Sequence, residues 1–503
     1  MLRKKIEKII EGVVGQKTDL EHPNVIEHGD FSTNIALKVK IDPDKIISEL
    51  KDNPLFEKVE KAGPGFINLY LSQKALQSEL TEILDKKDNY GQLEIGQKKK
   101  VQVEFISANP TGPLTVGNAR GGPFGDVLGN VLKKAGYKVE KAYYVNDVGQ
   151  QIVALGHSVL KDDEAKYKGD YIDKLNKLNK NKDVFKTGQW AAKYIIKNII
   201  RETTKQMGIK YDEWIFESDL YKSGKVDKIL ELLEKKGLIY EKEGAKWFKS
   251  KKFGDNRDRV VIKQDGNKTY LPGDIALHYY KFNDKKFATV INEWGTDHYG
   301  DISGLMAGVE VIGHKDKLKI VLHQFVTILE KGKAKKMSKR AGNYVYMNEL
   351  LDKTGKDATR FFFLQKSPDT HLNFDLELAK EQTKKNPVYY VQYAHARICS
   401  ILKKTKSSKS DFGMLTHPAE LELIKELSKF PEIIEDIAGD YQVQRLPYYS
   451  LELANKFHGF YENCRILGED EKIAQARISL IKATKIVLRN ALELMGISAP
   501  EKM

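Results

Sequence analysis

Between residues 101 and 145 the chain changes its periodicity three times, which leaves few folds open to it. Val101-Gln-Val-Glu-Phe105 alternates apolar and polar residues as a strand does. Ser107-Ala-Asn-Pro-Thr-Gly-Pro-Leu-Thr-Val-Gly-Asn118-Ala-Arg-Gly-Gly122 is a run of small and turn-forming residues. Val127, Leu128, Val131 and Leu132 then recur at helical spacing, and Lys138 to Val145 reads as a second strand. Strand, glycine turn, helix and strand make a βαβ unit, whose two strands must run parallel. The turn at the helix start exposes N–H groups in line with the helix dipole, which suits phosphate. Tight helix–strand packing is the other reason for such glycines, and the segment alone does not separate the two.

A second segment lies far downstream. Lys335-Lys336-Met337-Ser338-Lys339-Arg340-Ala341-Gly342 comes after the strand-like run Lys319 to Leu322. Alone it reads as a solvated lysine loop. In order with the first segment, on alternating strands and helices, it can supply charge to the same phosphates as charge develops in a transition state. Together the two imply nucleotide chemistry on an open α/β sheet.

With 503 residues the chain has room for three or four domains. No run approaches the roughly 18 apolar residues needed to span a bilayer. Met1 to Ile10 is a charged amphipathic helix with no apolar stretch after it, so no signal peptide is expected. Two cysteines, Cys399 and Cys464, exclude a zinc knuckle and a disulfide framework, which fits a reducing cytoplasm. The net charge of +14 favours a polyanionic partner. Residues 1–100 hold 17 basic and 17 acidic residues, and residues 395–503 hold 16 and 15, so the excess is central.

The expected fold is α/β: a Rossmann-type doubly wound parallel sheet over residues 99–375, with a helical, lysine-rich insertion over about 150–250. A small α/β domain precedes it at 1–98. From 376 to 503 the apolar residues recur at three and four, which predicts an all-α bundle.

The two signatures resemble the HIGH and KMSK motifs of class I aminoacyl-tRNA synthetases. The residues around them are similar to arginyl-tRNA synthetases: Val103-Glu-Phe-Ile-Ser-Ala-Asn-Pro-Thr-Gly-Pro113, Tyr143 to Gln150, Tyr270-Leu-Pro-Gly-Asp274, Trp294-Gly-Thr-Asp-His298 and Gly496 to Met503. The first hundred residues match through His28 to Asn34 and Ala62 to Asn68, so the resemblance spans the chain. It implies activation of L-arginine with ATP, accompanied by Mg2+ held mainly through the phosphates, and transfer to tRNA(Arg). It further implies a cytoplasmic monomer with no membrane segment and no protein-held metal, a tRNA-contacting N-terminal domain and an anticodon-binding C-terminal one.

Roles can be assigned residue by residue. Arginine recognition needs carboxylates in fork geometry; the candidates are Glu104 and Asp274, with Tyr270 as an aromatic wall and Asn109 on the α-amino group. The residues alone also allow Asp274 as a helix N-cap, Glu104 as an outward-facing strand residue and Asn109 as part of an Asn-Pro turn. Gly117, Gly295, Asp297, His298, Met337 and Ser338 are expected at ATP, although His298 equally suits a structural histidine. Lys336 and Lys339 would neutralise the phosphates. Tyr389, Tyr390, Tyr393 and Tyr461 could stack on bases or lie in the core.

One departure stands out. Where HIGH carries two histidines, this chain reads Thr115-Val116-Gly117-Asn118. Thr115 and Asn118 can donate hydrogen bonds but carry no charge. This leaves two expectations, a working arginine–tRNA ligase or a catalytically weakened tRNA-binding or regulatory relative. The two lysines and the whole presumed pocket favour the first.

Overall fold

The computed structural model describes residues 1–334, 345–405 and 410–503. These form two compact units, one of Glu94–Glu381 and the other of Met1–Leu93 with Gln382–Met503.

The first unit is built on five parallel strands: β1 (Lys100–Glu104), β2 (Lys138–Val145), β3 (Glu213–Phe216), β4 (Thr289–Gly295) and β5 (Leu318–His323). Their order is β5-β4-β1-β2-β3. The chain therefore starts at the centre, winds out through β2 and β3, and returns to the other side of β1. Connections diverge between β1 and β4, the switch point where open α/β sheets bind ligands at the carboxyl ends of their strands. Three helices accompany the sheet near this edge: α1 (Gly121–Lys134), α2 (Tyr270–Tyr279) and α3 (Ile302–Val311).

β1 shows why the sheet forms. Val101, Val103 and Phe105 are buried as its pattern predicts, but Gln102 and Glu104 are buried too. A central parallel strand is covered on both faces, so its polar residues need partners. Gln102 Nε2 donates to Glu140 at 2.8 Å, and Lys281 Nζ donates to Glu104. The outward-facing reading of Glu104 therefore fails.

The glycine run permits close packing at two positions. A Cβ on Gly125 would fall 2.1 Å from the Phe105 ring, and one on Gly121 would fall 2.0 Å from the Glu293 carboxylate. A Cβ on Gly117 would meet, among the described residues, Thr115 Oγ1 at 3.9 Å.

The stretch predicted as a helical insertion is partly sheet. Helices Gln150–Leu160, Asp170–Leu178, Val184–Ile195 and Arg201–Gln206 connect β2 to β3. β3 then pairs with β2 from Ala142↔Glu213 to Val145↔Phe216. A four-residue strand among lysine-rich helices carries too little periodicity to be read. An antiparallel sheet of Ile239–Lys242, Ala245–Phe248 and Arg259–Ile262 comes next.

In the second unit, strands Phe31–Thr33, Phe66–Leu71 and Phe56–Ala62 form a small antiparallel sheet, and helices Pro387–Leu402, Pro418–Ser428, Phe430–Asp440, Arg445–Asn463 and Glu471–Leu494 form a bundle. Helix Leu2–Val14 is joined to that bundle by Arg3, which reaches Glu435 at 2.9 Å and Asp436 at 2.7 Å. Cys399 and Cys464 are buried thiols.

Arg360, fully buried on helix Met347–Leu364, donates to Asp126 Oδ2 of α1 at 2.6 Å and to the Met207 carbonyl at 2.9 Å. Lys141 holds the other oxygen of Asp126 at 2.6 Å. Arg360→Ala strips one partner from a buried ion cluster and should cost about 3 kcal/mol, measured as a lower urea midpoint with an unchanged slope.

Candidate active site

The carboxyl end of β1 is a strained corner. Ile106 and Ser107 both have left-handed backbones, with φ of 66° and 41°. A β-branched residue rarely adopts that conformation, so something must hold it. The Ile106 N–H donates to Glu293 Oε2 at 3.2 Å. Ser107 Oγ accepts from the Tyr144 N–H at 3.0 Å and donates to Glu104 Oε1 at 3.2 Å. The corner thus ties β1 to β2 and β4 and turns the chain towards the glycine run.

Thr115 caps the short helix Val116–Ala119, its Oγ1 accepting from the Asn118 N–H at 3.2 Å. The Thr115 hydroxyl donates to Asn118 Oδ1 at 2.6 Å. Asn118 is exposed, so tying up its oxygen leaves the two N–H groups of Nδ2 as donors at the helix start. The Val116 N–H bonds to the Val345 carbonyl at 3.0 Å and the Met347 N–H to the Leu114 carbonyl at 2.8 Å. The segment just after the lysine-rich sequence therefore lies along this turn. Lys336, Met337, Ser338 and Lys339 lie outside the described residues.

At the ends of β4 and β5, Gly295 faces Asp297 and His323. A Cβ there would sit 2.5 Å from Asp297 Oδ1 and 3.7 Å from His323 Nε2. His323 pairs with the buried Glu293. Burial favours a neutral ring, but the adjacent carboxylate outweighs it and raises the His323 pKa. Asp297 and His298 are exposed on the turn Thr296–Asp301, and His298 Nδ1 lies 3.8 Å from Asp301.

The third group is acidic. Helix α2 begins at Tyr270 after Thr269, so Asp274 lies inside the helix and the N-cap alternative falls away. Glu217 comes directly after β3 and is 3% exposed. Its Oε1 lies 3.3 Å from where a Cβ on Gly273 would be, and the Tyr221 hydroxyl lies 3.9 Å from the same point. The Tyr144 hydroxyl bonds to Glu217 and also feels Asp274 and Glu104, so three carboxylates converge around one tyrosine. Burial, with Asp147 nearby, pushes Glu217 up to about 7. Burial, then Glu217, Asp301 and Glu104, hold Asp274 well above the usual carboxylate range, with Lys281 opposing them. Lys281 is itself bonded to Glu104, so Glu217 and Asp274 face one another short of positive charge.

Glu104 has Lys281 on Oε2 and Ser107 on Oε1; Glu217, not singled out from sequence, faces Asp274. The signal for Glu217 was an acid at a strand's carboxyl end, hidden because β3 itself was not legible. Tyr144, Tyr221 and His323 were missed for the same reason, since only pairing of the strands assembles them. Tyr270 is 62% exposed at the start of α2, and Asn109 is exposed in its turn.

A doubly wound parallel sheet with a glycine turn and helix start at its switch point is the core of many nucleotide-binding proteins, and the family match makes this one a class I aminoacyl-tRNA synthetase core. Residues 79–183 and 157–400 match the class I (R) tRNA synthetase catalytic domain, residues 1–71 the arginyl tRNA synthetase N-terminal domain and residues 391–503 the DALR anticodon-binding domain. The arginine–tRNA ligase of Caldanaerobacter subterraneus is 41% identical over 97% of this chain and 94% of its own length. That of Desulforamulus reducens is 41% identical over 100% and 98%. The Thermus thermophilus arginyl-tRNA synthetase structure superposes with a TM-score of 0.82 at 22% identity, each chain fully covered. A Mycobacterium tuberculosis methionyl-tRNA synthetase shares the fold at TM-score 0.59 and 13% identity, over 79% of this chain and 91% of that one. The chain belongs to the arginyl-tRNA synthetase family and is an ATP-using ligase.

Glu217 sets a pH dependence. The folded chain holds its proton to about 7, whereas an ordinary glutamate releases it near 4.5. Ligand-free stability from this group is therefore lost as pH rises from about 4.5 to 7. Glu217→Gln, which cannot ionise, should stabilise the ligand-free protein at pH 8 by on the order of 1–3 kcal/mol, seen as a raised Tm. Arginine should bind the wild type more tightly at pH 8 than at pH 6, with proton release detectable by calorimetry in two buffers.

Proposed function

We propose that the guanidinium of L-arginine binds between Asp274 and Glu217, walled by Tyr144, Tyr221 and Tyr270. What carries this reading is a pair of carboxylates short of a counter-charge, Glu217 buried and Asp274 half-buried: a planar cation with a fan of donors answers both. Asn109 and Glu104 face the α-amino end. With Lys281 counted against Glu104, the charges of Glu217 and Asp274 remain for the guanidinium.

ATP lies over Gly117 and Gly295, its phosphates at the helix start, where Asn118 Nδ2 donates and the Thr115 hydroxyl holds Asn118 in place; Asp297 and His298 line the nucleotide side. The arginine carboxylate attacks the α-phosphate, pyrophosphate leaves, and arginyl-adenylate forms. The terminal ribose hydroxyl of tRNA(Arg) then takes the arginyl group and AMP departs. The protein positions reactants and stabilises charge. Lys336, Lys339, Met337 and Ser338 are assigned to the phosphates from sequence. Mg2+ would enter with ATP, carried mainly by its phosphates.

Residues 1–98 contact tRNA and 376–503 read the anticodon region. Supporting this, Tyr389, Tyr390, Tyr393 and Tyr461 are each only partly buried. Tyr389 stacks on Tyr393 with centroids 6.3 Å apart, and the Arg397 guanidinium lies 4.2 Å from the Tyr461 ring centre. Half-exposed aromatics beside an arginine suit unstacked bases. The chain acts as a cytoplasmic monomer; among the described residues no helix is long and apolar enough to cross a membrane.

Aminoacylation of total tRNA with each amino acid should give charging with arginine alone. Asp274→Asn should cost about 2–5 kcal/mol in arginine-dependent kcat/KM; unchanged kinetics would refute the pocket. Thr115→His with Asn118→His should raise kcat while leaving the KM for arginine within about twofold, because a charge-assisted bond replaces a neutral one at the phosphates. A native chain inert where the double variant is active would identify a disabled synthetase.

A further inference from the structure

Lys281 is fully buried and stands at the head of a continuous hydrogen-bonded chain. Its Nζ donates to Glu104 Oε2, and to Asn292 Oδ1 at 3.2 Å. Asn292 Nδ2 donates to His278 Nε2 at 2.9 Å, and His278 Nδ1 donates to the Asp274 carbonyl at 2.7 Å. From Lys281 to the Asp274 carbonyl every bond runs in one direction. Burial, with Lys281 nearby, pushes His278 down to about 3, which keeps the ring neutral and in the single tautomer this chain needs.

The backbone is built for the arrangement. Asn292 of β4 is the register partner of Glu104 on β1. After His278 the helix widens into a π-turn over Tyr280–Asp284, the kind of bulge that re-aims side chains at functional sites. Glu104 lies at the foot of the pocket and Asp274 on its wall. A buried lysine is not needed for packing, since an apolar residue of similar volume often serves stability as well or better.

We propose that Lys281, acting through Asn292 and His278, is a positioning residue that fixes the separation between Glu104 and helix α2, and so sets the length of cationic side chain the enzyme accepts. This rests on the guanidinium lying at Asp274 and Glu217. With the α-ammonium held at the Glu104 end and the guanidinium at α2, a fixed strand–helix distance measures the methylenes between them. Tyr144, Tyr221, Tyr270, Glu217 and Asp274 are ionisable groups grouped beside this chain, and Asp301 also acts on Asp274.

The test compares arginine with homoarginine, one methylene longer, in tRNA-dependent activation by the full-length protein. One methylene is worth about 10–200-fold in a fitted pocket, and the wild type should discriminate within that range. Lys281→Met should cut the arginine-to-homoarginine ratio of kcat/KM by roughly 10-fold, with the KM for ATP within about twofold. Asn292→Ser, which breaks the middle of the chain and leaves the Lys281–Glu104 pair intact, should do the same, so a Lys281→Met protein that does not fold still leaves a test. An unchanged ratio in folded variants overturns the proposal, whatever their overall rate. Asp274→Asn separates the two readings: if it keeps wild-type arginine kinetics the pocket itself is wrong, and if it loses arginine while the Lys281 and Asn292 variants discriminate normally, only the positioning role fails.

Discussion

Everything at the site depends on five strands ending at one edge. Parallel pairing from β5 through β4, β1 and β2 to β3 puts Glu104, Tyr144, Glu217, Gly295 and His323 at or just beyond carboxyl ends. Because both faces of such a sheet are covered, its polar side chains must find partners inside. Glu104 finds Lys281 and Ser107, Glu293 finds His323 and the Ile106 N–H, and Asp126 finds Arg360 and Lys141. The left-handed corner at Ile106 and Ser107 is one result of this, held by bonds from two neighbouring strands.

The Glu217–Asp274 pair is an exception to that pattern. Two carboxylates facing one another, one buried and one half-buried, without a balancing cation oppose folding at neutral pH. Such a pair persists where a ligand supplies the missing charge, and the ligand-free state accommodates it by holding protons. Stability and recognition pull in opposite directions at the same atoms. Further along the same edge, the turn that stands where the family carries histidines is ordered without them: Thr115 caps the helix and fixes Asn118, so the donors there are neutral and preorganised.

The βαβ unit, the phosphate turn, the helical C-terminal region and the family were legible because each rests on local periodicity or on motifs a few residues long. Thr115, Gly117, Asn118 and Asp274 could be named from such motifs alone. Glu217 could not, because β3 is four residues long and lies within a lysine-rich helical stretch. Glu104 was named with the wrong surroundings. Alternation in Val101 to Phe105 suggests an exposed polar face, and only the helix covering that face shows that Glu104 is buried and paired.

The sequence by itself determined where most of the strands, the glycine turn and the helices fall, since backbone geometry and apolar spacing act over a few residues. Tertiary structure alone decided which charges meet. Lys281 reaches Glu104 from 177 positions away, and Arg360 reaches Asp126 from 234. Whether a carboxylate is neutralised, left short of charge or made to hold a proton depends on what folds over it. That burial is set by strand order and helix placement, which no local pattern in the chain records.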